Sequence, residues 1–590
     1  MARLVLLALC FGAVSVSAQT PPPPVDAAKV AFEWGIEIPL RDGVKLAATK
    51  YAPRGHEGAL PCVFTLTPYI AQSYHDRGMY FGANGYVFLT IDARGRGNSG
   101  GDFTPLLQEA HDAHDVVEWL AAQPYCNGRT SMWGGSYAGY NQWAAAKEFP
   151  PHLTSIVPVA SPYAGVDFPM RANMFYPYDL QWLALTAGRA SQSMLFGDSR
   201  FWTAAYKRVY LEHRPFASLD TELGLRSPIF QTWISHPTLD AYWDSYNPSD
   251  AQYARIDLPI LSITGHYDGD QPGAIEHYRR HMQHAGAAAR AKHWLVIGPW
   301  DHAGTRTPRA EVGGLKFGEA SLVDMNQLHR EWYDHTLKGG PLPAFLKAPV
   351  AYYVTGRDKW RYAASLDAVT AESRAFHLGS EGGRANDVYA SGSLLVEPRA
   401  QAGVDRYVYD PLDTGNAELP FDPDGPYLTD QTAVVQNRGR SLVYHTPPFP
   451  RATEVSGFFR LDAWLELDQP DTDFDVSVFE IRPDGSSVAL SQAQMRARYR
   501  DGLREGRPVP AGEVLRYRFD NFSFISRELA RGSRLRLVIG PVDSVFAQKN
   551  YNSGGVVAQE SESDARTVTV KLHHGPAHPS ALFVPLAPPE

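Results

Sequence analysis

The sequence predicts an α/β domain built on a largely parallel sheet, with a helical cap inserted into it, followed by a C-terminal jelly-roll-like β-sandwich. Three observations carry that expectation. From about residue 32, short β-rich runs alternate with amphipathic stretches, as strands and crossover helices do. Between residues 166 and 248 the alternation gives way to a segment dense in aromatics, including Phe168, Phe175, Tyr176, Tyr178, Trp182, Trp202, Trp233 and Trp243. After about residue 348 helical periodicity fades into strand-like runs bounded by Gly, Pro and Asp. The expected division is a leader at 1–18, a Pro-rich tether at 19–31, the α/β domain at 32–165 and 249–347, the cap at 166–248 and the sandwich at 348–590.

The leader reads as a secretory signal: Arg3 supplies positive charge, an apolar run covers 4–16, and Val16, Ser17 and Ala18 close it with small residues. The run is shorter than the roughly 20 residues that span a bilayer, and no later stretch is long and apolar enough to replace it. The expectation is an exported protein, periplasmic or extracellular, without a stable membrane anchor. A lipoprotein would need a small residue before Cys10, where Leu9 stands. Four consecutive prolines at 21–24 make an extended tether.

Runs at 62–67 and 86–91 read as interior strands. A helix is expected over 113–122, where Val116, Val117, Trp119 and Leu120 recur at helical spacing. A short strand at 131–133 runs into a glycine-rich turn. The run at 258–263 is a buried strand with Pro259 at its entrance, where a missing N–H is tolerated. In the last third, 354–357, 458–465 and 534–539 are strand-like.

The formal charge of −9 is modest for 590 residues, and no dense Lys/Arg tract exists of the kind that tracks phosphate backbones. Nucleic acid is therefore not an expected partner. Of three cysteines, Cys10 leaves with the leader. Cys62 and Cys126 remain, read either as a bridge that export permits or as two buried thiols. A homo-oligomer stays open on this reading.

The strongest local signal for chemistry is Trp133-Gly134-Gly135-Ser136-Tyr137-Ala138-Gly139. A serine among small residues, after a strand and before a helix, fits the nucleophile elbow of an α/β-hydrolase. The strict G-x-S-x-G form is not met, because Ala138 takes the second glycine's place and Gly139 follows it. A serine hydroxyl needs a base to take its proton and an acid to orient that base. In this fold they follow in the order serine, acid, histidine. Asp268, directly after a predicted strand, and His302, on a loop that Gly298 and Pro299 are expected to bend, stand in that order.

Further pieces are Tyr51-Ala52-Pro53, Thr67-Pro68-Tyr69, the stretch from Asp92 to Gly100 (DARGRGNSG), Tyr267-Asp268-Gly269, Gly298-Pro299-Trp300-Asp301-His302, Pro470-Asp471-Thr472-Asp473-Phe474 and Arg496-Ala497-Arg498-Tyr499-Arg500. With the elbow, these resemble the cocaine-esterase-like and Xaa-Pro dipeptidyl-peptidase-like serine hydrolases, which include α-amino-acid ester hydrolases and glutaryl cephalosporin acylases. The resemblance covers nearly the whole chain after the leader. It implies Ser136 as nucleophile, His302 as general base and then acid, Asp268 as its orienter, and an oxyanion hole made of the Tyr69 hydroxyl and the Tyr137 backbone N–H. It also implies that Asp270 stands where amino-acid ester hydrolases carry a carboxylate and cocaine-esterase-like members an aromatic residue. Two readings of Asp270 follow: a partner for a substrate ammonium, with Asp167 as a weak second candidate, or a locally hydrogen-bonded loop aspartate.

Weaker constellations carry less. His111 and His114 share a helix face compatible with a metal, but with Asp112 and Asp115 they read better as a solvated helix N-terminus. His266 reads as structural and is the rival to His302. Arg94 is expected to brace acid-rich loops beneath the site. The expected activity is cleavage of an ester or amide acyl bond, in a small-molecule or short-peptide substrate, through an acyl-enzyme without metal or organic cofactor. A carboxylic or α-amino-acyl ester/amide hydrolase comes first and an Xaa-Pro dipeptidyl peptidase second. A non-catalytic exported saccharide-binding protein is the reading from a different class.

Overall fold

The computed structural model describes residues 26–418, 425–436 and 439–589. The leader and most of the tether lie outside the described residues. The tether expected to reach residue 31 overlaps the first strand, β1 (Val30–Pro39).

The α/β domain follows as β2 (Lys45–Pro53), β3 (Leu60–Thr67), α1 (His75–Ala83), β4 (Val87–Asp92), α2 (Glu109–Ala121), β5 (Cys126–Gly135), α3 (Tyr137–Ala146) and β6 (Leu153–Val159). The cap's longer helices are α4 (Tyr178–Leu185), α5 (Ser199–Leu211) and α6 (Pro228–Ile234). The chain then returns as β7 (Ile260–Tyr267), α7 (Gln271–His284), β8 (His293–Asp301), α8 (Met325–Lys338), β9 (Val350–Val354) and β10 (Lys359–Ala363).

These ten strands form one sheet in the order β1-β2-β4-β3-β5-β6-β7-β8-β9-β10. From β4 to β9 neighbours run parallel, and antiparallel pairs close both ends. Parallel strands are covered on both faces, which is why β3, β4 and β7 are buried almost throughout rather than alternating. Helix α2 turns Ala113, Val116, Val117 and Leu120 to the sheet.

The structure departs from three of these expectations. The sheet does not end at 347, because β9 pairs in parallel with β8 (Leu295 opposite Val350) and β10 returns beside it. The run at 354–357, expected as a strand, is mostly the turn of that hairpin, with Gly356 at φ +79°. Gly298 and Pro299, expected to bend a loop, lie inside β8, where the register with β7 slips between Gly298 and Asp301.

The C-terminal domain is β-rich. Thirteen strands between Glu372 and Leu586 join in one network among the described residues. Val568–His574 alternates buried and half-buried positions, whereas Asp473–Ile481 is buried along nearly its whole length between two neighbours. The two motif stretches of this domain meet as two ion pairs, the first fully buried. Arg496 donates to both Asp473 oxygens at 2.8 and 3.0 Å, and Arg498 donates to Asp471 at 2.7 Å. Arg496 also donates to the Asn173 carbonyl at 2.9 Å, fastening the cap to this domain. No helix among the described residues is long and apolar enough to cross a membrane.

Candidate active site

Ser136 sits at the sharp turn between β5 and α3 with φ +61° and ψ −128°, a conformation an L-residue adopts only under constraint. The constraint is hydrogen-bonded: the Ser136 N–H donates to Val159 O at 2.9 Å, and its carbonyl accepts from Gly139 and Tyr140. The displaced glycine of the motif has a steric reason. A Cβ on Gly139 would stand 2.5 Å from the Val159 carbonyl oxygen, whereas the Ala138 methyl fills the space left by Gly134. A Cβ on Gly135 would meet the Arg306 side chain, which packs against this turn, with Nη1 at 2.5 Å and Cδ at 2.7 Å.

The acid and the base arrive on neighbouring parallel strands that end side by side, with Tyr267 of β7 opposite Asp301 of β8. The residue after each end is therefore adjacent to the other. His302 Nδ1 lies 2.8 Å from Asp268 Oδ1, so Nδ1 carries the proton and Nε2 is the nitrogen left to act as base. Asp268 is fully buried and also accepts from the Thr264 hydroxyl at 2.8 Å and the Asp270 N–H at 3.1 Å. His266 is placed elsewhere: buried against Tyr267 and Phe524, its pKa is pushed down to about 3 and it stays neutral.

Tyr69 leaves the end of β3, which pairs with β5 in parallel, and its phenol oxygen accepts from Trp182 Nε1 at 3.1 Å. Burial raises this phenol to about 12, so it remains a protonated donor. Tyr137 follows Ser136 at the first position of α3. Its ring is buried and its hydroxyl is bound by Glu109 and by the Leu106 N–H at 2.5 Å.

Asp270 caps α7 without a side-chain cap bond, and its Oδ1 is buried with no hydrogen-bond partner among the described residues. Its Oδ2 stands 3.7 Å from His302 Nδ1. Burial, with the nearby Asp167 and Asp268 carboxylates, holds its pKa well above the ordinary range, while Arg306 pulls the other way. Asp167 accepts from Gly273 N–H at 2.5 Å and Tyr163 N–H at 2.8 Å, and burial lifts it to about 7. The fold thus brings a pair of buried carboxyls beside the Asp268–His302 pair.

Four residues that sequence reasoning passed over join the site. Arg96, fully buried, donates to the Pro68 carbonyl at 2.8 Å and to Thr186 O at 2.6 Å, tying the Tyr69 loop to the end of α4. Its place in the 92–100 motif was the available signal. Arg94 instead grips Asp112 at 2.7 and 2.9 Å and Asp42 at 2.6 Å. Trp182 and Arg306 carried no local signal, and neither did Gln271. The Gln271 amide receives the Phe524 N–H at 2.6 Å and donates to Gly265 O and Phe524 O, joining the acid-bearing turn to the β-rich domain. His111 faces Glu148 at 3.6 Å and His114 lies 3.1 Å from Arg41. Among the described residues no group of three or more His, Cys, Asp or Glu is arranged to hold a metal. Cys62 and Cys126 are both buried free thiols.

Residues 42–304 match the X-Pro dipeptidyl-peptidase (S15 family) description, and residues 345–582 match the X-Pro dipeptidyl-peptidase C-terminal non-catalytic domain. The cocaine esterase of Rhodococcus sp. (strain MB1 Bresler) is 28% identical over 583 residues, covering 93% of this chain and 98% of its own. A putative serine esterase of Mycobacterium tuberculosis (strain CDC 1551 / Oshkosh) is 22% identical over 598 residues, covering 86% and 90%. Two solved structures superpose with a TM-score of 0.81 at 22% identity, covering 96% of this chain and 98% of their own. One is an aminopeptidase from the marine sediment archaeon Thaumarchaeota archaeon, the other an α-amino acid ester hydrolase. At that identity the likeness bears on the fold.

Proposed function

Because the chain belongs to the X-Pro dipeptidyl-peptidase S15 family of serine hydrolases, we propose that it hydrolyses α-amino-acyl esters or amides through an acyl-enzyme on Ser136. In this reading His302 Nε2 takes the proton as Ser136 Oγ attacks the acyl carbon. The Nδ1–H stays on Asp268 and stabilises the imidazolium. The oxyanion is received by the Tyr69 hydroxyl and the Tyr137 N–H, each such donor being worth about 2.7–4 kcal/mol when removed alone. His302 then returns its proton to the departing alcohol or amine. Water, deprotonated by the same nitrogen, releases the acid and restores Ser136.

The observation that carries the substrate class is the Asp270–Asp167 pair. Two buried carboxyls side by side repel when ionised, and an unpartnered buried oxygen costs about 1–3 kcal/mol. A substrate ammonium would offset both. The family match favours a second reading, an Xaa-Pro dipeptidyl peptidase, whose substrates also carry a free ammonium. A panel of aryl esters and anilides tests both, pairing each α-amino-acyl compound with its desamino analogue and adding an Xaa-Pro anilide. The proposal expects kcat/KM to favour the amino-acyl member of each pair. Equal rates within pairs would overturn it, and Xaa-Pro anilide as the fastest substrate would select the second reading. The leader at 1–18 supports export to the periplasm or the cell exterior as part of the same proposal.

A further inference from the structure

We infer that Trp182, on the cap helix α4, is a positioning residue for both oxyanion donors, so that the hole is complete only with the cap in place. The inference rests on the assignment of Tyr69 and Tyr137 as those donors. Trp182 Nε1 donates to the Tyr69 hydroxyl oxygen at 3.1 Å. An indole nitrogen is a donor only, so the phenol oxygen must be the acceptor, and its own hydrogen is left for the developing oxyanion. A hydroxyl that accepts a hydrogen bond is polarised into a stronger donor, and a dry site amplifies the effect.

The same ring reaches the second donor by packing. It stacks on the Tyr137 ring at 5.5 Å and 23°, while Glu109 and the Leu106 N–H hold the Tyr137 hydroxyl. The residue whose N–H follows Ser136 is thus clamped from the cap and from the start of α2 with the loop before it.

Trp182 is itself held. It is only 4% exposed, with Phe168 edge-on at 5.1 Å and Trp233 stacked at 6.3 Å. Arg96 bonds the carbonyl of Thr186, just past α4, and the carbonyl of Pro68, next to Tyr69. Cap and oxyanion loop are therefore joined twice within one turn of helix.

A wall of the acyl pocket and a positioning residue make different demands. Removing a wall changes KM and acyl-size preference. Removing the indole N–H changes kcat, and only while the Tyr69 hydroxyl is present. The test measures kcat and KM on one neutral p-nitrophenyl ester for wild type, Tyr69→Phe, Trp182→Phe and the double variant. Two further proteins carry β-(3-benzothienyl)alanine at 182, with and without Tyr69→Phe; this residue replaces the N–H by sulfur and keeps the stack, so the pair isolates the indole N–H. Tyr69→Phe should cost about 10²–10³ in kcat. Loss of the indole N–H should cost about fivefold in kcat with KM unchanged, and nothing further in the Tyr69→Phe background. Wild-type kcat in the benzothienyl protein that keeps Tyr69, or the same fivefold loss without the Tyr69 hydroxyl, would overturn the inference alone. An unchanged kcat in Tyr69→Phe would overturn the oxyanion assignment, and the inference with it. If Trp182→Phe fails to fold, the benzothienyl pair decides.

Discussion

Replacing Glu109 by Gln should remove a pH dependence of stability that the wild-type fold carries. Glu109 is 4% exposed, accepts from the Tyr137 hydroxyl through one oxygen and leaves the other unpartnered among the described residues. Burial lifts its pKa from the ordinary 4.5 to about 7. The folded protein therefore holds this proton more tightly than the unfolded chain does. Stability from this group is fully present below pH 4.5, declines as the unfolded chain ionises first, and is lost once pH passes about 7. At about 1.4 kcal/mol per pH decade, the rise corresponds to about 3 kcal/mol. Glutamine is neutral throughout and keeps a comparable shape. Urea unfolding of both proteins, followed by tryptophan fluorescence at pH 5 and pH 8, isolates the effect because other titrating groups cancel in the difference. Wild type should lose about 2–3 kcal/mol relative to Glu109→Gln between those pH values. A difference that does not change with pH would refute the reasoning.

Asp270→Asn should lower kcat/KM for α-amino-acyl esters by about 10–100-fold, the worth of a charge-assisted hydrogen bond, and leave desamino esters within about threefold. An equal loss on both classes would count against a role in ammonium recognition. Asp473→Asn should destabilise the protein by about 3–5 kcal/mol, because it leaves the buried Arg496 guanidinium without its charge partner. A shift in the urea midpoint equivalent to less than about 1 kcal/mol would show that the pair is not integral to the junction of cap and β-rich domain.

What could be read in the sequence was whatever is local. The nucleophile turn, the strand before Asp268 and the strand before His302 each declare themselves within ten residues. Parallel strands ending level with one another do the rest, since Tyr267 opposite Asp301 sets Asp268 and His302 side by side, where they meet at 2.8 Å. The helical insertion and the β-rich end were legible from periodicity alone. The sheet that the strands just past 347 join was not, because β9 and β10 extend the first sheet by pairing with β8, and composition does not record which sheet a strand pairs with. Gly298 and Pro299 misled for a related reason: residues that usually break strands here occupy a register slip inside one. Arg96, Trp182 and Gln271 stayed hidden because their partners lie far away in sequence, at Thr186, Tyr69 and Phe524. Asp167 acquires meaning only when Gly273 brings α7 against it.

The central claim is that Ser136 is the nucleophile, activated through His302 and Asp268. Fluorophosphonate labelling of the folded protein, followed by peptide mass spectrometry, tests it most directly. The account predicts one stoichiometric adduct on Ser136, absent in Ser136→Ala and strongly slowed in His302→Ala. Labelling that persists in Ser136→Ala, or no labelling of folded wild-type protein, would contradict it.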